Sequence, residues 1–152
     1  MNPKINLYQR DGEIVNNWYI ACLGKELSKS RPLARVIYDT PLVLFRDQAN
    51  HVVCLPDRCL HRHTLLSEGT LSKTNELICP YHGWHYHSKG SVIHIPSEGP
   101  TSKPNRNLCL KPIPTIEQDG AIWVWMGKDK PTSKLPWKFP SFKTLGWNHY
   151  FM

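Results

Sequence analysis

The sequence lacks any apolar run approaching the roughly 20 residues that a membrane-spanning helix needs. Its first residues, Met1 to Asn6, contain neither an apolar signal-peptide core nor a twin arginine. Cysteine is scarce and odd in number, with five in 152 residues. An odd count without an export signal argues against a disulfide-stapled secreted protein. We therefore expect a cytoplasmic protein that contacts no membrane.

Acidic residues are also few, with 12 Asp and Glu against 19 Lys and Arg, for a net charge of +7. Part of the basic excess lies near the end of the chain, at Lys128, Lys130, Lys134, Lys138 and Lys143. Such a segment is compatible with a solvated surface, with docking to an acidic redox partner, or with binding to nucleic acid phosphates. We favour the solvated surface and predict no nucleic acid partner.

Turn-forming residues are abundant, with 13 prolines and 9 glycines spread along the chain. Short β-prone runs separated by turn residues are typical of a sandwich or barrel. We expect a mostly β fold of antiparallel sheets, with strands at 18–23, 33–38, 42–46, 51–55, 84–87, 92–95, 108–111, 113–117 and 121–126. We divide the chain into an N-terminal extension (1–16), one domain (17–127) with an insertion at about 56–96, and a basic tail (128–152).

The insertion carries the chemistry. Cys59-Leu60-His61 reads C-x-H, and after 17 residues Cys79-Pro80-Tyr81-His82 reads C-x-x-H. Two thiols and two imidazoles suit either tetrahedral zinc or a [2Fe–2S] cluster whose irons take two cysteines and two histidines. Cys22, Cys54 and Cys109 lie among apolar neighbours and are expected to be buried thiols.

The wider sequence favours the cluster. The segments 59–62 (C-L-H-R) and 79–84 (C-P-Y-H-G-W) resemble the C-x-H-R and C-x-Y-H-G-W boxes of Rieske-type non-haem iron ring-hydroxylating oxygenases. The resemblance is to the N-terminal Rieske [2Fe–2S] domain of their α (terminal oxygenase) subunits. It covers about residues 15–150 and includes the segments 17–19, 66–69, 95–97 and 120–127.

The resemblance implies a ligand set. Cys59 and Cys79 would hold the buried iron, and His61 and His82 would hold the outer iron, where electrons leave. Rieske proteins of respiratory and photosynthetic complexes carry a disulfide at the positions of Thr64 and Tyr81. The resemblance therefore implies the soluble, low-potential branch.

Three neighbours of the ligands have candidate supporting roles. Gly83 would allow a positive φ or a close approach to the cluster, although an ordinary loop glycine is equally compatible. Trp84 would cover the cluster or simply pack in the core. Arg62 would act as a nearby positive charge, contact a partner subunit, or be solvated. His63 stands where many members of the family have glycine, and His63, His85, His87 and His94 are not expected to be ligands.

The D/E-x-x-H-x-x-x-x-H pattern that holds the catalytic mononuclear iron in the family is absent, and His149 is the only histidine after His94. We therefore expect one-electron transfer in a ring-hydroxylating or demethylating oxygenase system, without substrate oxidation by this chain alone. The chain would be an electron-transfer component or a truncated oxygenase subunit. A reductase or ferredoxin would be the electron donor, and an oxygenase catalytic domain or subunit the acceptor. A trimer would follow from the family, and a monomer is equally compatible. The alternative is a zinc-stabilised module that binds nucleic acid or protein.

Overall fold

The computed structural model describes residues 16–101, 103–127, 130–131 and 135–146. In chain order its strands are β1 (Asn17–Leu23), β2 (Leu33–Ile37), β3 (Thr40–Arg46), β4 (Val52–Pro56), β5 (Thr70–Leu71), β6 (Leu77–Ile78), β7 (His85–Tyr86), β8 (Val92–His94), β9 (Thr115–Gln118) and β10 (Ala121–Met126). They form three antiparallel sheets, ordered β1-β10-β9, β2-β3-β4 and β5-β6-β7-β8. The predicted mostly β, antiparallel class is confirmed.

Helix among the described residues is limited to three short 3-10 turns, at Gly24–Glu26, Leu66–Glu68 and Pro96–Glu98. None of the described helices has the length and apolar character to cross a membrane.

The predicted strand at residues 108–111 is wrong. Only Cys109 pairs there, through an isolated bridge to Ser91. Pro112 and Pro114 follow closely, and proline has no N–H to donate to a strand ladder. The segment is nevertheless held in place, because the N–H of Leu110 donates to the carbonyl of Gly90 at 2.9 Å.

Strand β3 is the centre of the fold, since both of its faces are buried. Leu42 and Leu44 pack into one core with β1, β4 and β10, whereas Val43 and Phe45 pack into a second core under the cluster-binding insertion. All four side chains are fully buried. A strand covered on both faces reads as a continuous apolar run rather than an alternating one, which explains the sequence L-V-L-F.

Arg46, at the end of β3, joins the sheets to each other. Its guanidinium donates to both carboxylate oxygens of Glu117 in β9, each at 2.9 Å. This paired contact lowers the pKa of the Glu117 carboxyl. The carbonyl of Arg46 accepts a hydrogen bond from the side-chain amide of Asn75 at 3.0 Å, which ties the β5–β6 turn to the base of the fold.

The predicted N-terminal extension lies outside the described residues except for Asn16, as do Lys128, Lys134 and His149 of the predicted tail. Residues 135–146 of the tail contact the β9–β10 turn. There the N–H of Phe139 donates to Asp119 at 3.0 Å. The domain boundaries drawn from the sequence stay a prediction.

Candidate iron–sulfur site

Two loops of the same length and the same turn carry the predicted ligands. Loop 1 is residues 59–64, and loop 2 is residues 79–84. In loop 1 the N–H of Cys59 donates to the carbonyl of Thr64, and the N–H of His63 donates back to the carbonyl of Cys59, both at 2.9 Å. Loop 2 repeats both bonds: Cys79 N–H donates to Trp84 at 2.9 Å, and Gly83 N–H donates to Cys79 at 3.1 Å. Each loop is thus a closed turn that fixes its own cysteine.

Loop 2 connects β6 to β7, which pair as a hairpin. Loop 1 follows β4 and leads into the 3-10 turn at Leu66–Glu68. The carboxylate of Asp57 fixes this junction, because it accepts hydrogen bonds from both the backbone N–H and the hydroxyl of Ser67. Asp57 is itself buried.

The structure brings all four predicted ligands together. Cys59 and Cys79 are buried, and their thiols contact each other. His61 and His82 lie on the surface with ring centroids 4.7 Å apart. The site therefore consists of an inner sulfur pair and an outer imidazole pair.

This division into pairs fits a binuclear cluster. A [2Fe–2S] centre of the Rieske type takes two thiolates on one iron and two imidazoles on the other. A structural zinc ion would instead require the ligands to surround a single point. Among the described residues, no group of three or more His, Cys, Asp or Glu side chains is arranged to hold one metal ion.

Opposing effects act on the pKa of the Cys79 thiol. Burial raises the pKa of the Cys79 thiol, while N–H groups of Tyr81 and His82 that point at its sulfur act in the opposite direction. Contact with Cys59 raises the pKa further. A thiolate at this position therefore needs compensating positive charge, which bound iron supplies.

Tyr86 contacts a predicted ligand, although the sequence did not indicate it as a site residue. Its ring is fully buried, and its hydroxyl lies 3.2 Å from the sulfur of Cys59. The same oxygen accepts a hydrogen bond from the N–H of Leu60 at 2.9 Å. Because a ligating thiolate can only accept, the Tyr86 O–H is the donor to Cys59 in the loaded protein. Burial raises the pKa of this phenol, so it keeps its proton.

We expect Tyr86→Phe to lower the reduction potential of the cluster. A hydrogen bond to sulfur stabilises the reduced, more negative state more than the oxidised state, so its loss favours oxidation. A difference of about 1 kcal/mol between the two states corresponds to roughly 40 mV for one electron, and we expect a fall of that order. Spectroelectrochemical titration measures it.

Tyr38→Phe is the matched control, because it removes a hydroxyl that bonds to Tyr19 at 2.8 Å, remote from either ligand loop. Its potential should equal that of the unmodified protein. Equal potentials for the Tyr86 and Tyr38 variants would mean that Tyr86 does not tune the cluster.

Aromatic rings flank both imidazoles. Trp84 stacks on His61, with ring centroids 5.0 Å apart and planes within 4° of parallel. Tyr81 contacts His82 at a centroid distance of 3.8 Å. Trp84 also packs against the core beneath the loops, as predicted. Its role in covering the cluster stays a prediction.

A positive φ occurs at the same position in each loop. Gly83 has φ of +68°, and His63, its counterpart in loop 1, has φ of +58°. Glycine adopts this region at little cost, whereas a residue with a Cβ is strained by roughly 1–2 kcal/mol. The positive φ predicted as one option for Gly83 is present. The closed turn also explains why glycine suits the position of His63.

Arg62 is exposed, and its charge contributes to a lowered pKa of His61, after the larger effects of desolvation and of His82. His85 and His94 contact each other edge to face with centroids 5.1 Å apart, and Nδ1 of His85 lies 3.2 Å from Glu76. These two histidines have partners of their own within the β5–β8 sheet.

All five cysteines are free thiols. The burial predicted for Cys22 and Cys54 is confirmed, and burial raises the pKa of Cys22 to about 11 and that of Cys54 further. The same prediction is wrong for Cys109, which is exposed. Its segment forms no regular strand and leaves the thiol at the surface, 3.6 Å from the carbonyl of Lys89.

Comparison with known proteins agrees with this site. Residues 17–116 match the family model of the Rieske [2Fe-2S] domain. The chain is 40% identical to the oxygenase component of dicamba O-demethylase from Stenotrophomonas maltophilia, over 84% of this chain and 36% of that protein. It is 36% identical to the chloroplastic protein TIC 55 of Pisum sativum, over 90% of this chain and 25% of that protein. The chain thus spans about a quarter to a third of the length of these relatives.

Solved structures show the same fold. Dicamba monooxygenase with non-heme iron and dicamba superposes with a TM-score of 0.67 at 40% identity, over 76% of this chain and 34% of that one. The terminal oxygenase of carbazole 1,9a-dioxygenase from Novosphingobium sp. KA1 superposes with a TM-score of 0.69 at 29% identity, over 78% of this chain and 32% of that one. With the paired loops and the family match, these likenesses show that the chain belongs to the Rieske [2Fe–2S] domain family, resembles the Rieske domains of oxygenase α subunits, and binds a [2Fe–2S] cluster.

Proposed function

We propose that this protein transfers single electrons within an oxygenase system, through a cluster held by Cys59, His61, Cys79 and His82. The observation that carries the proposal is the arrangement of the four side chains. The sulfur pair is buried, whereas the imidazole pair lies at the surface, where a partner can approach it. When bound, the cluster supplies one-electron redox chemistry at a potential raised by its two neutral imidazole ligands.

Residues of the protein shield the sulfur pair from water and leave the imidazole pair exposed. Tyr86 and the closed turns of the two loops fill the space around the sulfurs and exclude water from them. Trp84 covers one face of His61. The edges of His61 and His82 stay open, so this is the side from which electrons leave.

An apolar rim beside the imidazoles provides a docking surface. Tyr81 is 62% exposed and Leu65 is 44% exposed, and both belong to or directly follow the ligand loops. Large exposed apolar side chains grouped around an active group are typical of transient contact sites. We call Tyr81 and Leu65 the docking rim.

We further propose a reductase or ferredoxin as the donor and a mononuclear iron site of an oxygenase catalytic domain or subunit as the acceptor. Relatives that are oxygenase components, and a structural neighbour that contains non-heme iron, support this choice. An oligomer, such as a trimer, would bring the acceptor of one subunit beside the docking rim of another. Cytoplasmic location stays a prediction, and some relatives are chloroplastic proteins.

Anaerobic stopped-flow reduction by a plant-type [2Fe–2S] ferredoxin tests the proposal. The cluster-loaded protein should accept one electron per chain, seen as bleaching of its visible absorption. Tyr81→Ala combined with Leu65→Ala should lower the second-order rate constant by roughly tenfold, because truncating buried contacts at an interface costs about 1–2 kcal/mol. The measured potential of the double variant should stay close to that of the parent.

Val36→Ala is the control, since Val36 is 65% exposed on β2 and lies in neither ligand loop. Its rate constant should match the parent. A cluster-loaded protein that accepts no electron from the reduced ferredoxin would refute the function. A double variant that reacts at the parental rate would refute the docking rim alone.

A further inference from the structure

A second feature of the surface lies on the outer face of the β1-β10-β9 sheet, apart from both ligand loops. Four of the six tryptophans line one open cavity of about 540 Å³: Trp18, Trp123, Trp125 and Trp137. Asn16, Asn17, Leu135 and Pro136 complete its lining. We refer to this cavity as the tryptophan pocket.

Strand alternation accounts for one wall of the tryptophan pocket. Trp123 and Trp125 are two residues apart on β10 and so share a face, while Ile122 and Val124 point into the core on the other side. Trp18 on β1 is the register partner of Trp125, and the two indoles pack edge to face at 5.5 Å.

The opposite wall comes from residues 135–137. The side-chain amide of Gln118 donates to the carbonyls of Pro136 and Trp137, both at 3.3 Å, and so fixes this segment against the end of β9. Trp137 remains 65% exposed and Leu135 62% exposed. Their apolar side chains line the cavity and are also exposed to water.

One polar group in the wall lacks a partner. The Nε1 of Trp123 is buried, and it has no hydrogen-bond acceptor among the described residues. Buried indole N–H groups usually have an acceptor, because burying a donor without one is unfavourable. Trp123 as a whole is only 8% exposed. A molecule that enters beside it with an acceptor oxygen would complete this hydrogen bond.

We propose that the tryptophan pocket binds a planar aromatic compound that carries an acceptor oxygen on its ring edge. Several indoles from different segments favour flat rings, which stack or pack edge to face with them. The volume lies within the range typical of small-ligand pockets, about 300–1,000 Å³. A pocket of indoles with one unpaired donor fits a ring with a single acceptor better than a flexible polar molecule.

Three probes separate the contribution of the planar ring to binding from that of the acceptor oxygen. The first is 2-naphthoate, which has both a planar ring and an acceptor. The second is naphthalene, which lacks the acceptor, and the third is cyclohexanecarboxylate, which lacks the planar ring. Calorimetric titration of the cluster-loaded protein should give the strongest binding for 2-naphthoate. The Trp123 indole N–H resonance in a ¹H–¹⁵N correlation spectrum should shift with that probe.

Two variants test the two parts of the site. Trp123→Phe removes the donor but keeps an aromatic ring, so it should weaken 2-naphthoate about tenfold and leave naphthalene unchanged. Trp137→Ala removes an exposed wall and should weaken both aromatic probes by roughly tenfold. Val36→Ala, at an equally exposed site on another sheet, should change neither. All three variants should keep the visible spectrum of the cluster.

Several outcomes would overturn the proposal. One is the absence of 2-naphthoate binding, and another is equal binding of cyclohexanecarboxylate. Binding that survives Trp137→Ala would place the probe elsewhere. A proline-rich decapeptide that binds where 2-naphthoate does not would identify the pocket as a peptide site instead. None of these outcomes bears on electron transfer at the ligand loops.

Discussion

Replacing Cys79 with alanine is expected to abolish the [2Fe–2S] cluster. Cys79 supplies half of the inner sulfur pair, and the turn of loop 2 holds its backbone in place whether or not the sulfur is present. An iron that loses one of two thiolate anchors keeps too little charge compensation to stay bound in a buried site. Iron and acid-labile sulfide should fall from about two of each per chain to near zero, and the visible absorption should disappear.

Cys109→Ala is the matched control for this prediction. Cys109 is exposed and belongs to neither ligand loop, so its removal should leave iron, sulfide and absorption unchanged. Cys59→Ala should behave like Cys79→Ala. A Cys79→Ala protein that retained two irons and its colour would show that the ligand assignment is wrong.

The ligand loops were predictable because each pair of ligands lies within a few consecutive residues. C-x-H and C-x-x-H each place a thiol and an imidazole within one short turn, and the only non-local requirement is that the two turns meet. Strand β10 was equally predictable, since Ala121 to Met126 is an uninterrupted β-prone run. All six of its residues are buried, so tertiary packing reinforces its local preference.

Other parts of the site depend on distant contacts that spacing does not reveal. Tyr86 follows the second box by two residues and looks like an ordinary core aromatic of β7. Its hydroxyl meets Cys59, 27 residues earlier in the chain, only after the insertion folds. The local signal available was the alternation of β7, which turns Tyr86 inward and His85 outward.

The positive φ of His63 is hidden for a related reason. The sequence has glycine at the matching position of loop 2 but histidine in loop 1, so the left-handed backbone of loop 1 is signalled only by the glycine that many family members have there. The shared hydrogen bonds of the two turns reveal the equivalence. Likewise, the tryptophan pocket needs β1, β10 and residues 135–137 to come together, although they are far apart in sequence.

Replacing His82 with cysteine is expected to lower the reduction potential by on the order of 100 mV or more. The change puts a negatively charged thiolate where a neutral imidazole stood, and added negative charge favours the oxidised cluster. All-cysteine [2Fe–2S] clusters of the plant type lie near about −400 mV, whereas Rieske centres lie at about −150 to +300 mV, so the direction is fixed by the ligand set. His82 is exposed, so a change of side chain there leaves the core intact.

Spectroelectrochemical titration measures the shift, after iron analysis has established two irons per chain. The reduced protein should also show nitrogen hyperfine coupling from one imidazole instead of two in pulsed paramagnetic resonance. His51→Cys is the control, because it adds a thiol at a site that is 79% exposed in the β3–β4 turn, outside the ligand loops. An unchanged potential with two imidazole couplings intact would mean that another histidine holds the outer iron. His61 would then stay assigned to the outer iron, since its stacking on Trp84 does not depend on His82, and the second imidazole ligand would be another histidine.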